Sequence, residues 1–295
     1  MKKKKDLVSI VLNCYNGGEY LKEALISVQN QSYQNWELIF WDNCSKDNSK
    51  EILESFKNKK FKYFLSKKHT SLYAARNLAI SKTRGKFVGF IDSDDIWEND
   101  KLKKQIKLFD EKNVAVVYGN SWIRREKTKQ KKIFIREKIK EGYIYNDLLK
   151  SYNVGILTAL IKRSFLKGKK IFDDKYNIIG DFDLFIKLSK EYKFKVIQDP
   201  VATYRIHEKN LSILQKKLEI KEFDNWYKKN RKKLSLENRK IMKNKINQLK
   251  FVSQKFNNGF LKVLIFFITN KIFSIKNLII LFTPKLILKK IMGFF

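Results

Sequence analysis

The chain has 295 residues, enough for one large domain or a domain with an extension. Its 43% hydrophobic content and 2 prolines exclude a disordered or low-complexity chain. The formal charge of +34 comes without zinc-finger spacing, a helix-turn-helix pattern or an aromatic-basic RNA signature. Nucleic acid is therefore not expected as a partner, and two readings stand: a solvated Lys-rich surface, or attraction to an anionic membrane.

Leu7–Leu12 is a short, nearly continuous apolar run. It is too short for a signal segment and reads as a strand covered on both faces. Asn16-Gly17-Gly18 marks a turn, and Leu21, Leu25 and Val28 then follow helical spacing. Glu37–Trp41 predicts a second buried strand, with Ser45 or Asp47 capping a helix over Ser49–Lys57. Lys62–Leu65 predicts a weaker third strand, Ser71–Lys82 a helix and Lys86–Ile91 a fourth strand running straight into Asp92. Leu102, Ile106 and Phe109 mark a further helix, and Val114–Tyr118 a fifth strand. This alternation predicts a mostly parallel sheet whose ligands sit beyond the carboxyl ends of its strands.

Further on, Ser121–Arg125 and Lys132–Ile135 are expected to pair across a Lys-rich turn, and Thr158–Lys162 to form another strand. Asp181–Lys190 reads as a helix, and Lys193–Ile197 and Val201–Ile206 as two strands broken at Asp199-Pro200. Residues 209–258 look helical and basic. From Phe251 to Phe295 there is no acidic residue, and 7 lysines punctuate Ile, Leu and Phe. Uncharged runs such as Val263–Asn270 fall far short of the ~20 residues needed to span a bilayer. Two readings remain for this tail: an interfacial segment, or a helical hairpin packed on protein. Cys14 and Cys44 are too few for a disulfide framework and read as reduced thiols.

Several polar groups stand at strand ends. Asp92-Ser93-Asp94-Asp95 puts three carboxylates in four residues, a repulsion that a divalent cation relieves; an exposed acidic turn looks the same. Asp42-Asn43 can read a base or ribose edge or form an ordinary Asx-turn. Arg76 can pair with a carboxylate or diphosphate or lie at the surface. Asp181 can be a general base or a favourable charge at a helix start. His207 can be a metal or phosphate ligand or a surface residue. His69 reads as a loop residue.

Together, Val8–Tyr20, Glu37–Ser49, Ala74–Ile80, Gly85–Asp95 and Gly180–Leu188 resemble, in order and spacing, glycosyltransferase family 2. The resemblance covers roughly residues 6–212. It implies a GT-A fold over 1–212, a Rossmann-like α/β domain; the residues themselves predict a basic, partly amphipathic helical region over 213–295. The resemblance implies Cys14 and Tyr15 beside the base, and Asp42 and Asn43 where an acidic pair usually binds it. Arg76 and Asp92 then belong to the donor site, Asp94 is the ligand of Mn²⁺ or Mg²⁺ with His207 as a second candidate, and Asp181 is the catalytic base. Asn13 departs from the family, where Pro is common, as does His69-Thr70-Ser71, where Gly is common.

The implied activity is an inverting transfer from a nucleotide-diphosphate donor, a UDP-sugar, to a saccharide or lipid-linked acceptor in surface polysaccharide or lipopolysaccharide assembly. Acceptor contacts are expected from 121–180, with Asn153 and Thr158 as candidates. The expected location is cytoplasmic, at the inner face of the plasma membrane through 251–295. Two other readings compete. A sugar nucleotidyltransferase needs a basic, glycine-rich loop where Asn13–Gly18 has no basic residue. A membrane- or nucleic-acid-binding protein with a degenerate catalytic domain sits poorly with the intact acidic residues.

Overall fold

The computed structural model describes residues 5–166, 168, 170–270, 272–285 and 287–288. The chain divides into two compact units, Met1–His207 and Glu208–Phe295, where the sequence reading set its boundary after 212.

The first unit opens with β1 (Val8–Cys14), α1 (Gly18–Gln29), β2 (Trp36–Asp42), α2 (Ser49–Ser55), β3 (Phe61–Leu65), α3 (Leu72–Ile80) and β4 (Phe87–Asp92). Every residue of β1 and β2 is buried, as their continuous apolar runs require in a sheet covered on both faces. Leu21, Ala24, Leu25 and Val28 form the buried stripe of α1. Ser71 caps α3 by accepting the Ala74 N–H. At α2 Asp47, one of the two expected caps, accepts the Ser49 N–H at the helix start, while the intervening Asn48 makes no side-chain cap bond. Asp47 also accepts from Gly18 N of α1.

Then come β5 (Ile96–Trp97), α4 (Lys101–Ile106), β6 (Val114–Arg125), β7 (Lys131–Ile133), α5 (Tyr145–Lys150), β8 (Leu160–Lys162), α6 (Gly180–Ser189) and β9 (Lys193–Ile206). The sheet order is β3-β2-β1-β4-β8-β6-β9-β5, with β7 on β6. β1 to β4 are parallel, and β8 and β5 run against their neighbours. The order turns back between β1 and β4, which opens a crevice at their carboxyl ends, next to Cys14 and Asp92.

Two expectations need correction. β6 is one strand rather than two, because the buried Asn120 amide bonds the Ile135 backbone at 2.7 and 3.1 Å and lets the strand continue. β9 is likewise continuous through Pro200. Its pairing jumps from Gly119↔Ile197 to Asn120↔Pro200, so Gln198 and Asp199 bulge outward and Pro200 is spared a ladder bond. A Cβ on Gly119 would meet Val201 at 2.8 Å, so the bulge needs glycine there.

The second unit holds α7 (Leu211–Leu214), α8 (Lys216–Asn230), α9 (Leu236–Asn257), α10 (Phe260–Thr269) and α11 (Ile275–Phe282). Phe251 of α9 packs with Val263 and Phe267 of α10 and Ile280 and Leu281 of α11. α10 is apolar on a second face as well, where Leu261, Ile265 and Ile268 are exposed. Among the described residues no helix is long and apolar enough to cross a membrane.

Candidate active site

The crevice gathers most of the residues singled out from the sequence. At the end of β4, the Asp92 carboxylate takes a 2.6 Å bond from Arg76 of α3. Arg76 is only 2% exposed, so it is a buried cation and not a surface one. It also lies over the Tyr73 ring, 5.1 Å from its centroid. Burial works against its charge, while Asp92, Tyr73 and Asp181 favour it.

Asp95 is buried and accepts the Arg205 N–H at 2.9 Å. Burial, with repulsion from Asp94 and Asp92, raises its carboxyl well above the usual range. Arg205 also donates through Nε to the Asp94 carbonyl at 2.7 Å and pairs with Glu23 and Glu126, both at 3.0 Å. It ties the acidic segment to α1 and β6. A Cβ on Gly17 would meet Ser93 Oγ at 2.5 Å, so this segment passes against the loop after β1.

His207 Nε2 lies 2.9 Å from Asp94 Oδ2, although 113 residues separate them in sequence. The His207 ring stacks on Tyr20 at 4.9 Å. Among the described residues no cluster of three or more His, Cys, Asp or Glu forms. The Asp94–His207 pair still fits a divalent cation, since Mg²⁺-type sites need only one or two protein carboxylates and fill the shell with substrate phosphates and water. Repulsion between Asp94 and Asp95 is what such a cation would relieve.

Asp181 begins α6. A Cβ on Gly180 would strike the Tyr73 ring at 2.5 Å, so glycine there lets Tyr73 pass under the helix start. The Tyr73 hydroxyl then donates to Asp181 Oδ1 at 2.9 Å. Burial raises the Asp181 carboxyl above its ordinary value, against the pull of Arg76 and the Tyr73 and Tyr152 hydroxyls. A carboxylate held this way is suited to taking a proton.

On the other side of the crevice, Asp42 accepts from Ser45 N at 2.7 Å and from Tyr63 OH at 2.8 Å. Asn43 grips Thr70, through both its Oδ1 and its Nδ2, and approaches His69 Nδ1 at 3.3 Å. The His69 ring meets the half-exposed Tyr15 ring at 4.2 Å. Cys14 is buried against Ser49, and both cysteines are free. The N–H groups of Asn16, Gly17 and Gly18 all go to side chains, of Ser45, Ser49 and Asp47. That leaves no anion-binding loop of the kind a nucleotidyltransferase needs. The Asn13 amide is buried with no hydrogen-bond partner, in register with Asp92.

A cavity of about 710 Å³ adjoins the acidic segment. Asp92, Asp95 and Asp181 line one wall, and Thr158 lies on another. Asn153 does not line it, and neither does the donor-side group of Cys14, Tyr15, Asp42 and Asn43. Tyr73, Arg205 and His69 were not picked out as site residues in the sequence. A signal existed for the first: Tyr73 and Arg76 are three apart on α3 and so share its face.

The model of "Glycosyl transferase family 2" covers residues 9–184. The chain is similar to the UDP-Glc:alpha-D-GlcNAc-diphosphoundecaprenol beta-1,3-glucosyltransferase WfgD of Escherichia coli, with 30% identity over 70% of this chain and 79% of the relative. It is also similar to the putative teichuronic acid biosynthesis glycosyltransferase TuaG of Bacillus subtilis, with 34% identity over 54% of this chain and 63% of the relative. Two solved structures share the fold. One is the mannosyltransferase PcManGT of Pyrobaculum calidifontis with GDP-Man and Mn²⁺ (TM-score 0.63, 14% identity, 97% of this chain and 84% of that one). The other is residues 1–349 of S. aureus TarS with UDP-GlcNAc (TM-score 0.56, 16% identity, 89% and 88%). The fold is GT-A, and the chain belongs to glycosyl transferase family 2.

Proposed function

We propose that the protein transfers a sugar from a UDP-sugar to a hydroxyl of a saccharide or lipid-linked saccharide, with inversion, in the assembly of a surface polysaccharide. The observation that carries this reading is the position of Asp181. Its carboxylate lines the cavity beside Asp92, with its ionisation tuned by burial and by Tyr73.

Asp181 takes the proton of the acceptor hydroxyl as that oxygen bonds to the anomeric carbon. The bond from that carbon to the nucleoside diphosphate breaks, and the diphosphate keeps the electron pair. A base on the face opposite the leaving group needs no protein nucleophile, so a single displacement inverts the centre. Asp94 and His207 would hold Mn²⁺ or Mg²⁺, which supplies positive charge for the departing diphosphate. Arg76 keeps Asp92 fixed toward the donor. Tyr15, with His69 behind it, offers a ring for the base, and Asn43 holds that loop in place. The UDP donor and the lipid-linked acceptor are supported by the names of similar proteins. A thermal-shift screen of nucleotide-sugars with Mn²⁺ should give stabilisation by a UDP-sugar. No shift with any nucleotide-sugar would sink the reading.

The second unit supports peripheral membrane contact at the cytoplasmic leaflet. Leu261, Ile265 and Ile268 on α10 and Leu278, Ile279 and Phe282 on α11 are exposed, and Lys262 and Lys285 are exposed beside them. Such faces bind an anionic interface through apolar burial plus Lys attraction. Leu261→Glu with Ile265→Glu should cut co-sedimentation with phosphatidylglycerol vesicles several-fold, roughly what losing two apolar contacts implies. Unchanged co-sedimentation would reject membrane contact through this face.

A further inference from the structure

The cavity beside Asp181 has a second character. Strand pleating puts alternate residues on one face. Ser121, Ile123 and Arg125 of β6 lie on the cavity face with Tyr204 and Ile206 of β9, and Lys132 of β7 is opposite Ile123. Arg136 and the half-exposed Phe134 complete that wall.

Several neighbouring cations off the cavity face are paired with carboxylates. Arg124 meets Glu126 at 3.1 Å and Glu23 at 3.7 Å, Arg205 meets both at 3.0 Å, Lys129 meets Glu126, and Lys131 reaches Glu98 at 3.8 Å. Arg125, Lys132 and Arg136 make no ion pair among the described residues. Outside Asp92, Asp95 and Asp181, the cavity has one carboxylate in its lining, Glu137. Arg125 is half-buried on the cavity face. The three cations therefore leave a place for a multiply charged anion, and guanidinium matches phosphate in geometry as well as charge. The donor diphosphate belongs on the other side of Asp92, since none of Cys14, Tyr15, Asp42 or Asn43 lines this cavity. Ile123, Ile133, Phe134, Ile156, Leu157 and Ile206 give the same cavity apolar walls.

We infer that this cavity binds the acceptor through a phosphate or diphosphate ester, held by Arg125, Lys132 and Arg136, with an apolar chain lying on Phe134 and its aliphatic neighbours. The inference rests on the glycosyl-transfer reading and deepens it: the acceptor class is a saccharide phosphate joined to a lipid.

Farnesyl diphosphate, farnesol and inorganic pyrophosphate serve as probes, titrated into the full chain in EDTA at physiological salt and read by microscale thermophoresis. EDTA removes metal-assisted phosphate binding at the donor side. Farnesyl diphosphate should bind more tightly than either of the other two. The triple variant R125Q/K132Q/R136Q should weaken it by roughly tenfold or more, and so should the exposed pair K132Q/R136Q in smaller measure, which covers the case where the triple variant unfolds. The control K22Q/K59Q/K103Q, three exposed lysines off the cavity, should bind like the wild type. Three outcomes overturn the inference: wild-type affinity in K132Q/R136Q and the triple variant, equal weakening in the control, or farnesol binding as tightly as farnesyl diphosphate. Nucleotide-sugar binding by the wild type is read separately with Mn²⁺. Its failure would sink the transfer reading and leave this site standing; failure of farnesyl diphosphate alone would sink this site.

Discussion

Asp181→Asn is expected to lower kcat by roughly 10²–10⁴ while leaving the affinity for the nucleotide-sugar within about twofold. The amide keeps the shape of the side chain and still accepts the Tyr73 hydroxyl, so the fold around Gly180 has no reason to shift. What it lacks is the ability to take a proton. Loss of donor affinity with normal turnover would contradict the role. The pH profile gives an independent reading. Burial raises the Asp181 carboxyl, and the base form is required, so activity should fall as pH falls through a value above the ordinary carboxylate range. Tyr73 donates to the ionised form and lowers that value. Tyr73→Phe should therefore move the acid limb to higher pH. An unmoved limb would mean that another group sets it.

Asp94→Ala is expected to cost roughly 10³-fold or more in turnover with little change in Tm. Its carboxylate is 27% exposed and meets His207. The neighbouring Asp92→Ala makes the contrast. It strips Arg76 of its hydrogen-bonded carboxylate, and breaking a buried pair is costly: about 3 kcal/mol, at the lower end of the range because Asp92 is 35% exposed and Asp181 and Tyr73 still favour the charge. That corresponds to a Tm lower by roughly 6–12 °C for a domain of this size. Differential scanning calorimetry beside an Mn²⁺-titrated transfer assay separates the two. Near wild-type turnover in Asp94→Ala, or equal Tm loss in both variants, would remove Asp94 from its role.

The sequence carried the catalytic frame well where a strand runs directly into a polar group. The continuous apolar runs ending at Asp42 and Asp92 fix β2 and β4, and parallel pairing then puts their ends in one crevice. Local signals failed where long-range pairing took over. Gly119-Asn120 and Asp199-Pro200 read as breaks, yet they are matched irregularities on paired strands. The two-residue β5 and short α5 have no periodic pattern to find. Within the crevice, Asp92, Asp94, Asp181 and Arg76 stand out in the sequence as candidates whose roles come from the family resemblance, but the Arg76–Asp92 pair is not legible there, since burial decides it. The bonds of the Asn43 amide to Thr70 have no local signal in the sequence, since the two are 27 residues apart. Arg205 was passed over for His207, although it is the buried hub joining Glu23, Glu126 and the Asp94 backbone. Its partners lie 79 and 182 residues away, beyond any local pattern.

The central claim is a single displacement at the anomeric carbon with Asp181 as base. Its most direct test is the anomeric configuration of the first product, read by proton NMR coupling constants, formed from an α-linked UDP-sugar with Mn²⁺ and an acceptor. A β-linked product is expected from the first turnover onward. An α-linked product would require a covalent or retaining route and would contradict it.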